Sequence, residues 1–278
     1  MTTLSLLVNK SIVRQCFRCM TTMKKQSPGE YCLELVRKND YENFLCTLLL
    51  PKNIKAAGFA IRAFNVEIAQ VEDQVTMKHV GQMRLQFWKE TLNSIYDGLP
   101  SKTPVAIELH RILQKHKLSK RYFKRLIEAR LDKLEKSIFP NIQAIENYSE
   151  NAVSSIYYLL LEANGIKNIN ADHAASHLDI LMKHNVSSEA ILRNVKTTAV
   201  NDVIFEVASC AKQHLDEAIL LNTFKKSKVI FLPIVFLENY LEELRRTDFD
   251  VFHPQHAKRN GFLPLQLLWK KITDKFSK

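Results

Sequence analysis

From Tyr31 to the C-terminus, apolar residues return at steps of three and four rather than alternating, and only 6 Gly and 8 Pro punctuate 278 residues. That spacing is one face of an α-helix. A sandwich or barrel needs a turn every eight to twelve residues, and turn formers this sparse exclude it. One stripe is Met83, Phe87, Trp88, Leu92 and Ile95, closed by Gly98 and Pro100. A second, Phe123, Leu126, Ile127, Leu131, Leu134 and Ile138, opens near Ser119 and stops before Pro140. A third, Val153, Ile156, Tyr157, Leu160 and Leu161, ends at Gly165 in a C-cap position. Ile204, Val207, Ala208, Ala211, Leu215, Ala218 and Ile219 form the cleanest stripe, with Asp202 as the expected N-terminal cap. Pro51, Pro100, Pro140, Pro233 and Pro264 fall between stripes or at their ends. No repeat period or long linker appears, so the expected architecture is one all-α bundle.

With 46% hydrophobic and 25% charged residues, the chain has globular proportions, which excludes wholesale disorder. The formal charge of +11 is uneven. Residues 1–29 carry Lys10, Arg14, Arg18, Lys24 and Lys25, and the first acid is Glu30; the remaining 35 bases against 29 acids leave a net +6. The acid-free leader is rich in Ser and Thr, and as a helix it sets its bases beside Leu6, Val8, Ile12, Val13 and Phe17. This is the pattern of a mitochondrial presequence, and the folded domain is expected over 30–278. The modest excess that remains suits an anionic membrane surface or an acidic partner better than nucleic acid. Five scattered cysteines, Cys16, Cys19, Cys32, Cys46 and Cys210, point to reduced thiols rather than a disulfide framework. No run of about eighteen apolar residues occurs, so any membrane contact is expected to be peripheral. The C-terminal segment LPLQLLWKKITDKFSK pairs Leu265, Leu268, Trp269, Ile272 and Phe276 with Lys270, Lys271, Lys275 and Lys278. Such a helix either closes the bundle with its apolar side or lies on an anionic membrane.

The chemistry that helical bundles commonly perform needs carboxylates or His converging on a cavity. Glu67, Glu72 and Asp73 lie near one another, as do Asp248 and Asp250, yet neither set makes repeated i,i+4 acidic pairs. His173 and His177 share a helical spacing but lack a third ligand. No GxGxxG, GxxxxGK[ST] or GxSxG is present. No catalytic, cofactor or metal residue is therefore assigned.

The stretch FLCTLLLPKNIKAAGFAIRAFNVEIAQVED, residues 44–73, resembles the first substrate-binding region of the squalene/phytoene synthase family. The resemblance implies an all-α fold of the isoprenoid synthase type. In that family two Asp-rich motifs on facing helices hold Mg²⁺ against prenyl diphosphates. Carried over position by position, the family's Arg falls on Val66, its first Asp on Ala69 and the next acid on Gln70; only the last Asp remains, as Asp73. Asp132 sits on a helix that faces the groove in the family, and with Asp73 it is expected to be a structural relic. Ile61, Phe64 and Ile68 become packing residues. After ADHAASH, residues 171–177, the chain passes straight to LDILMKHNVSSEAIL, so one core helix carrying the second motif is expected to be missing.

The phrases YCLELVRKNDYENFLCTLLLP, AIRAFNVEIAQV, MRLQFWKETLNSIYDG, PVAIEL, ADHAASH and DFDVFHP, in that order, resemble the branch of the family that serves assembly of mitochondrial respiratory complex I. The likeness covers nearly all of residues 30–270. It implies a non-catalytic protein on the matrix side of the inner membrane, held peripherally, linked to biogenesis of the ND1 subunit and using no cofactor. Two other readings were weighed against it. A prenyl diphosphate transferase is opposed by Ala69 and Gln70, and an RNA-binding module lacks an aromatic stacking platform. A missing helix with four or five large buried side chains would remove on the order of 10 kcal/mol, at roughly 1.5–3 kcal/mol each. Domain stabilities are only about 5–15 kcal/mol. Purified chain is therefore expected to melt early and broadly by calorimetry, and a sharp cooperative melt at an ordinary temperature would overturn this.

Overall fold

The computed structural model describes residues 26–99, 101–136, 139, 142–166, 198–220, 228–256 and 258–276. Every regular element among them is helical. In chain order these are α1 (Pro28–Asn39), α2 (Tyr41–Leu48), α3 (Lys52–Ala69), α4 (Lys78–Tyr96), α5 (Pro104–Leu113), α6 (Lys120–Lys136) and α7 (Ile142–Ser149). A π-helical turn (Glu150–Ser154) leads into α8 (Ser155–Ala163). Then come α9 (Thr198–Leu220), a 3-10 turn (Lys228–Phe231), α10 (Ile234–Arg246) and α11 (Leu263–Phe276). Among the described residues no helix is long and apolar enough to cross a membrane.

Local chemistry explains several of the boundaries. Ser27 and Glu30 form a reciprocal capping box at the start of α1, with Pro28 at the first helical position. Gly98 and Gly165 take positive φ of 82° and 72°. Each closes its helix with a six-to-one and a five-to-two bond: Leu99 N–H to the Ser94 carbonyl and Gly98 N–H to Ile95, then Ile166 N–H to Leu161 and Gly165 N–H to Glu162. Ser119 immediately precedes α6 and donates its N–H to Glu162 of α8 at 2.7 Å.

The hub is α3, which packs against α1, α2, α5, α6 and α8. Ile54, Ala57, Phe59, Ala60, Ile61, Ala63, Phe64, Val66 and Ile68 are all buried, so the helix is enclosed from Ala57 onward, while Lys52, Asn53 and Ala56 at its start are exposed. Small Ala and Gly residues let its neighbours approach closely. Phe64 meets Trp88 of α4 edge-on at 5.4 Å and Phe123 of α6 edge-on at 5.3 Å, tying three helices together. As expected, Ile61, Phe64 and Ile68 are packing residues, each fully buried. A smaller cluster of Cys46, Leu232, Leu263 and Leu267 joins α11 to α2 and the turn before α10.

Three expectations need correction. The stripe through residues 83–95 is half right: Trp88, Leu92 and Ile95 are buried, but Met83 and Phe87 are exposed. At ~100° per residue, the inward line on α4 runs through Gly81, Leu85, Trp88, Leu92 and Ile95, and Met83 and Phe87 fall on the other side. Asp202 lies within α9, which begins at Thr198, and so does not stand before it as a cap. The C-terminal helix does not simply close the bundle, because only Leu263 and Leu267 turn inward. The expected presequence, His173, His177, Cys16, Cys19 and the proposed junction after His177 lie outside the described residues.

Truncating the Phe64 ring should be among the most damaging single changes. Phe64→Ala is expected to cost about 3–5 kcal/mol in urea-induced unfolding, because three helices line the resulting cavity.

Candidate functional site

The region matching the first Asp-rich motif lies on the second half of α3 and the turn after it. Val66 is buried in the core. Gln70 is held by Asn39 at the end of α1, its amide donating to Asn39 Oδ1 at 2.8 Å. The three nearby acids diverge. Glu67 accepts from the Tyr31 hydroxyl at 3.2 Å, and burial raises its carboxyl above the usual range, the Tyr31 bond opposing this. Glu72 pairs with Lys133 of α6 at 2.8 Å. Asp73 is exposed to solvent. Asp132 is also exposed, 3.9 Å from Lys136 one turn along α6. Asp250 caps a turn by accepting from Phe252 N–H at 2.9 Å, and Asp248 sits in a left-handed bend at φ 50°. Among the described residues no group of three or more His, Cys, Asp or Glu is placed to hold a metal ion.

What the structure does bring together on α3 is a pair of buried guanidinium groups. Arg62 is only 3% exposed, with Nη1 3.9 Å from Asp40 Oδ2 and its guanidinium 6.0 Å from the Tyr157 ring. Asp40 is steadied in turn by the Asn43 amide, which donates to its Oδ1 at 2.9 Å. Arg130 of α6 reaches one α-helical turn further along α3 and donates to Asn65 Oδ1 at 2.7 Å. The same group donates to the Ala152 carbonyl in the π-helical turn at 3.2 Å and to the Leu126 carbonyl at 3.5 Å. Its planar fork suits several acceptors at once, which a lysine ammonium does not. Burial raises the Tyr157 phenol, Arg62 pulling the other way. Burial also pushes the Cys32 and Cys46 thiols up to about 12, so neither is a ready nucleophile.

Neither arginine was singled out from the sequence. Both left a signal: Arg62 interrupts the apolar run AIRAF, and Arg130 stands three residues after Ile127 on an inward stripe. A charge in such a position is buried, and a buried charge has partners.

The magnesium-holding geometry of squalene and phytoene synthases requires carboxylates facing one space. Here the two matched acid positions are a methyl at Ala69 and an engaged amide at Gln70, the position of the family's Arg is hydrocarbon at Val66, and the nearby acids turn to other partners or to water. These residues do not fit that metal. The family model for squalene/phytoene synthase nonetheless matches residues 36–178 and again 178–262. The chain belongs to the squalene/phytoene synthase family. Its fold is shared with a dehydrosqualene synthase bound to a ligand, at a TM-score of 0.71 and 15% identity over 90% of this chain and 97% of that one. Squalene synthase HpnC from Alicyclobacillus acidocaldarius aligns at 0.66 and 19% identity, covering 81% and 95%. The curated relatives carry a different name. Proteins from Bos taurus and Homo sapiens, 43% and 42% identical over 87% of this chain and 82% of theirs, are each called NADH dehydrogenase (ubiquinone) complex I, assembly factor 6. The Drosophila melanogaster homolog of that factor is 36% identical over 89% of this chain and 84% of its own. Within this family, then, the chain stands with proteins named as assembly factors and keeps the synthase fold.

The Arg130 fork gives a direct test of what this region does for the fold. Arg130→Lys keeps the charge but leaves the Ala152 or Asn65 acceptor unpaired, at an expected cost of about 1–3 kcal/mol. Arg130→Leu should cost more in the same denaturation experiment.

Proposed function

We propose that this chain is a non-catalytic assembly factor for mitochondrial respiratory complex I, acting early and in biogenesis of the ND1 subunit. The observation that carries the proposal is the 42–43% identity, over 87% of the chain, to proteins named as complex I assembly factor 6. The site supports it from the other side. Of the positions matched to the metal-holding acids, one is a methyl at Ala69 and the next an amide bonded to α1 at Gln70. The inherited bundle serves as a shaped scaffold, and its Asp-rich motifs are lost. Residues 1–29 act as the import presequence and 30–278 as the working domain, placed peripherally on the matrix side of the inner membrane. The family match divides at residue 178, which supports a helix lost at that point.

The proposal is tested by rescue. Cells lacking the endogenous factor would express either this chain as written or one with the missing helix restored, and assembled complex I would be read on a native gel. Rescue by at least one of the two is expected, and failure of both would overturn the assembly role. In a parallel thermal-shift assay, Mg²⁺ with a prenyl diphosphate is expected to leave the melting temperature unchanged. A metal-dependent rise would favour a living transferase.

A further inference from the structure

Among the described residues, the C-terminal helix α11 is held by one side only. Leu263 and Leu267 sink against Cys46 and Leu232. Lys271 Nζ donates to the Leu49 carbonyl at 2.6 Å, and the Asn239 amide donates to Gln266 at 2.9 Å. On the outer side stand Leu265, Leu268, Trp269 and Ile272, with Phe262 just before the helix, all exposed. Trp269 and Phe262 are 71% and 73% exposed. At ~100° per residue, the centre of this outer face lies about 170° from the line through Leu263 and Leu267. A helix apolar on both sides with only one side packed presents its second face to something else.

Its charge says what that is. Residues 258–278 hold six bases, Lys258, Arg259, Lys270, Lys271, Lys275 and Lys278, against one acid, Asp274. Lys258 and Lys270 are exposed on the described surface. A second copy docked face to face would set these bases against their own kind. A bilayer with anionic headgroups meets both requirements at once, hydrocarbon for the Leu and Trp side chains and phosphate for exposed bases such as Lys258 and Lys270. Tryptophan is also a side chain suited to the depth of the headgroups. Fourteen residues span about 21 Å, too short for a hydrocarbon core of about 30 Å, so the helix would lie in the surface rather than cross it.

We infer that the outer face of α11, from Phe262 through Ile272, is a docking surface for an anionic phospholipid bilayer. This rests on the peripheral membrane placement proposed above and supplies the surface that achieves it.

The test uses the full chain and vesicles of phosphatidylcholine, alone or mixed with an equal part of phosphatidylglycerol. The protein should float with the mixed vesicles about ten- to a hundredfold more strongly than with the neutral ones, and added salt should weaken the difference. Brominated phosphatidylcholine in the mixed vesicles should quench tryptophan emission in the parent chain, with Trp88 buried in the core contributing little. In Trp269→Phe the quenching should vanish while flotation persists. The double variant Leu268→Glu, Trp269→Glu should lose at least about tenfold in flotation while its thermal melt matches the parent. No flotation, equal flotation with neutral vesicles, or undiminished binding by the double variant would overturn the inference. So would a dimer in sedimentation that the double variant converts to a monomer, which would assign the face to a second copy. The Trp269 quenching and the double variant read this surface and the native gel reads assembly, so failure of one proposal is distinguishable from failure of the other.

Discussion

Burial of α3 on all sides is the constraint on which the rest of the bundle depends. From Ala57 to Ala69 this helix has no exposed residue and needs neighbours in every direction, and α1, α2, α5, α6 and α8 supply them. The aromatic junction of Phe64, Trp88 and Phe123 then sets how α4 and α6 lean on the hub. Its side chains are used for packing.

The polar residues on α3 follow from the same enclosure. A buried polar group without a partner is costly, so each of these groups is tied to a neighbouring helix. Arg62 turns to Asp40, Asn65 accepts from Arg130, Glu67 accepts from Tyr31, and Gln70 donates to Asn39. Convergence on one space would be needed to hold a metal, and these bonds point in diverging directions. Arg130 also serves the π-helical turn, an irregularity that in other proteins often marks a functional site. Here the irregular turn supplies a carbonyl to the arginine that also holds α3.

Function on such a scaffold moves to its outside. Apolar side chains that the core does not use are conspicuous on α11, and they sit beside lysines rather than carboxylates. An exposed apolar face with bases nearby offers area and charge, the means by which a protein associates with a membrane or another chain.

How much was legible in the amino-acid order depends on whether a property is local. Helix class, the ends at Gly98 and Gly165, the proline positions and the burial of Ile61, Phe64 and Ile68 rest on steps of three and four and on backbone preferences within a few residues. Divergence from the metal-binding pattern was equally plain, because a methyl at position 69 and an amide at position 70 are identities, not placements. What the order left open was which side of an amphipathic helix meets the core. Met83 and Phe87 share the apolar character of Trp88 and yet face water, and α11 has two apolar sides of which one is buried. Nor could spacing pair Arg130 with Asn65 and Ala152, which are 65 and 22 residues away. The sequence alone determined a helical chain of this family whose matched acid positions at 69 and 70 carry no carboxylate. Only the tertiary structure decided which faces are inside and which charges are paired, because burial and ion pairing belong to distances through space that residue order does not encode.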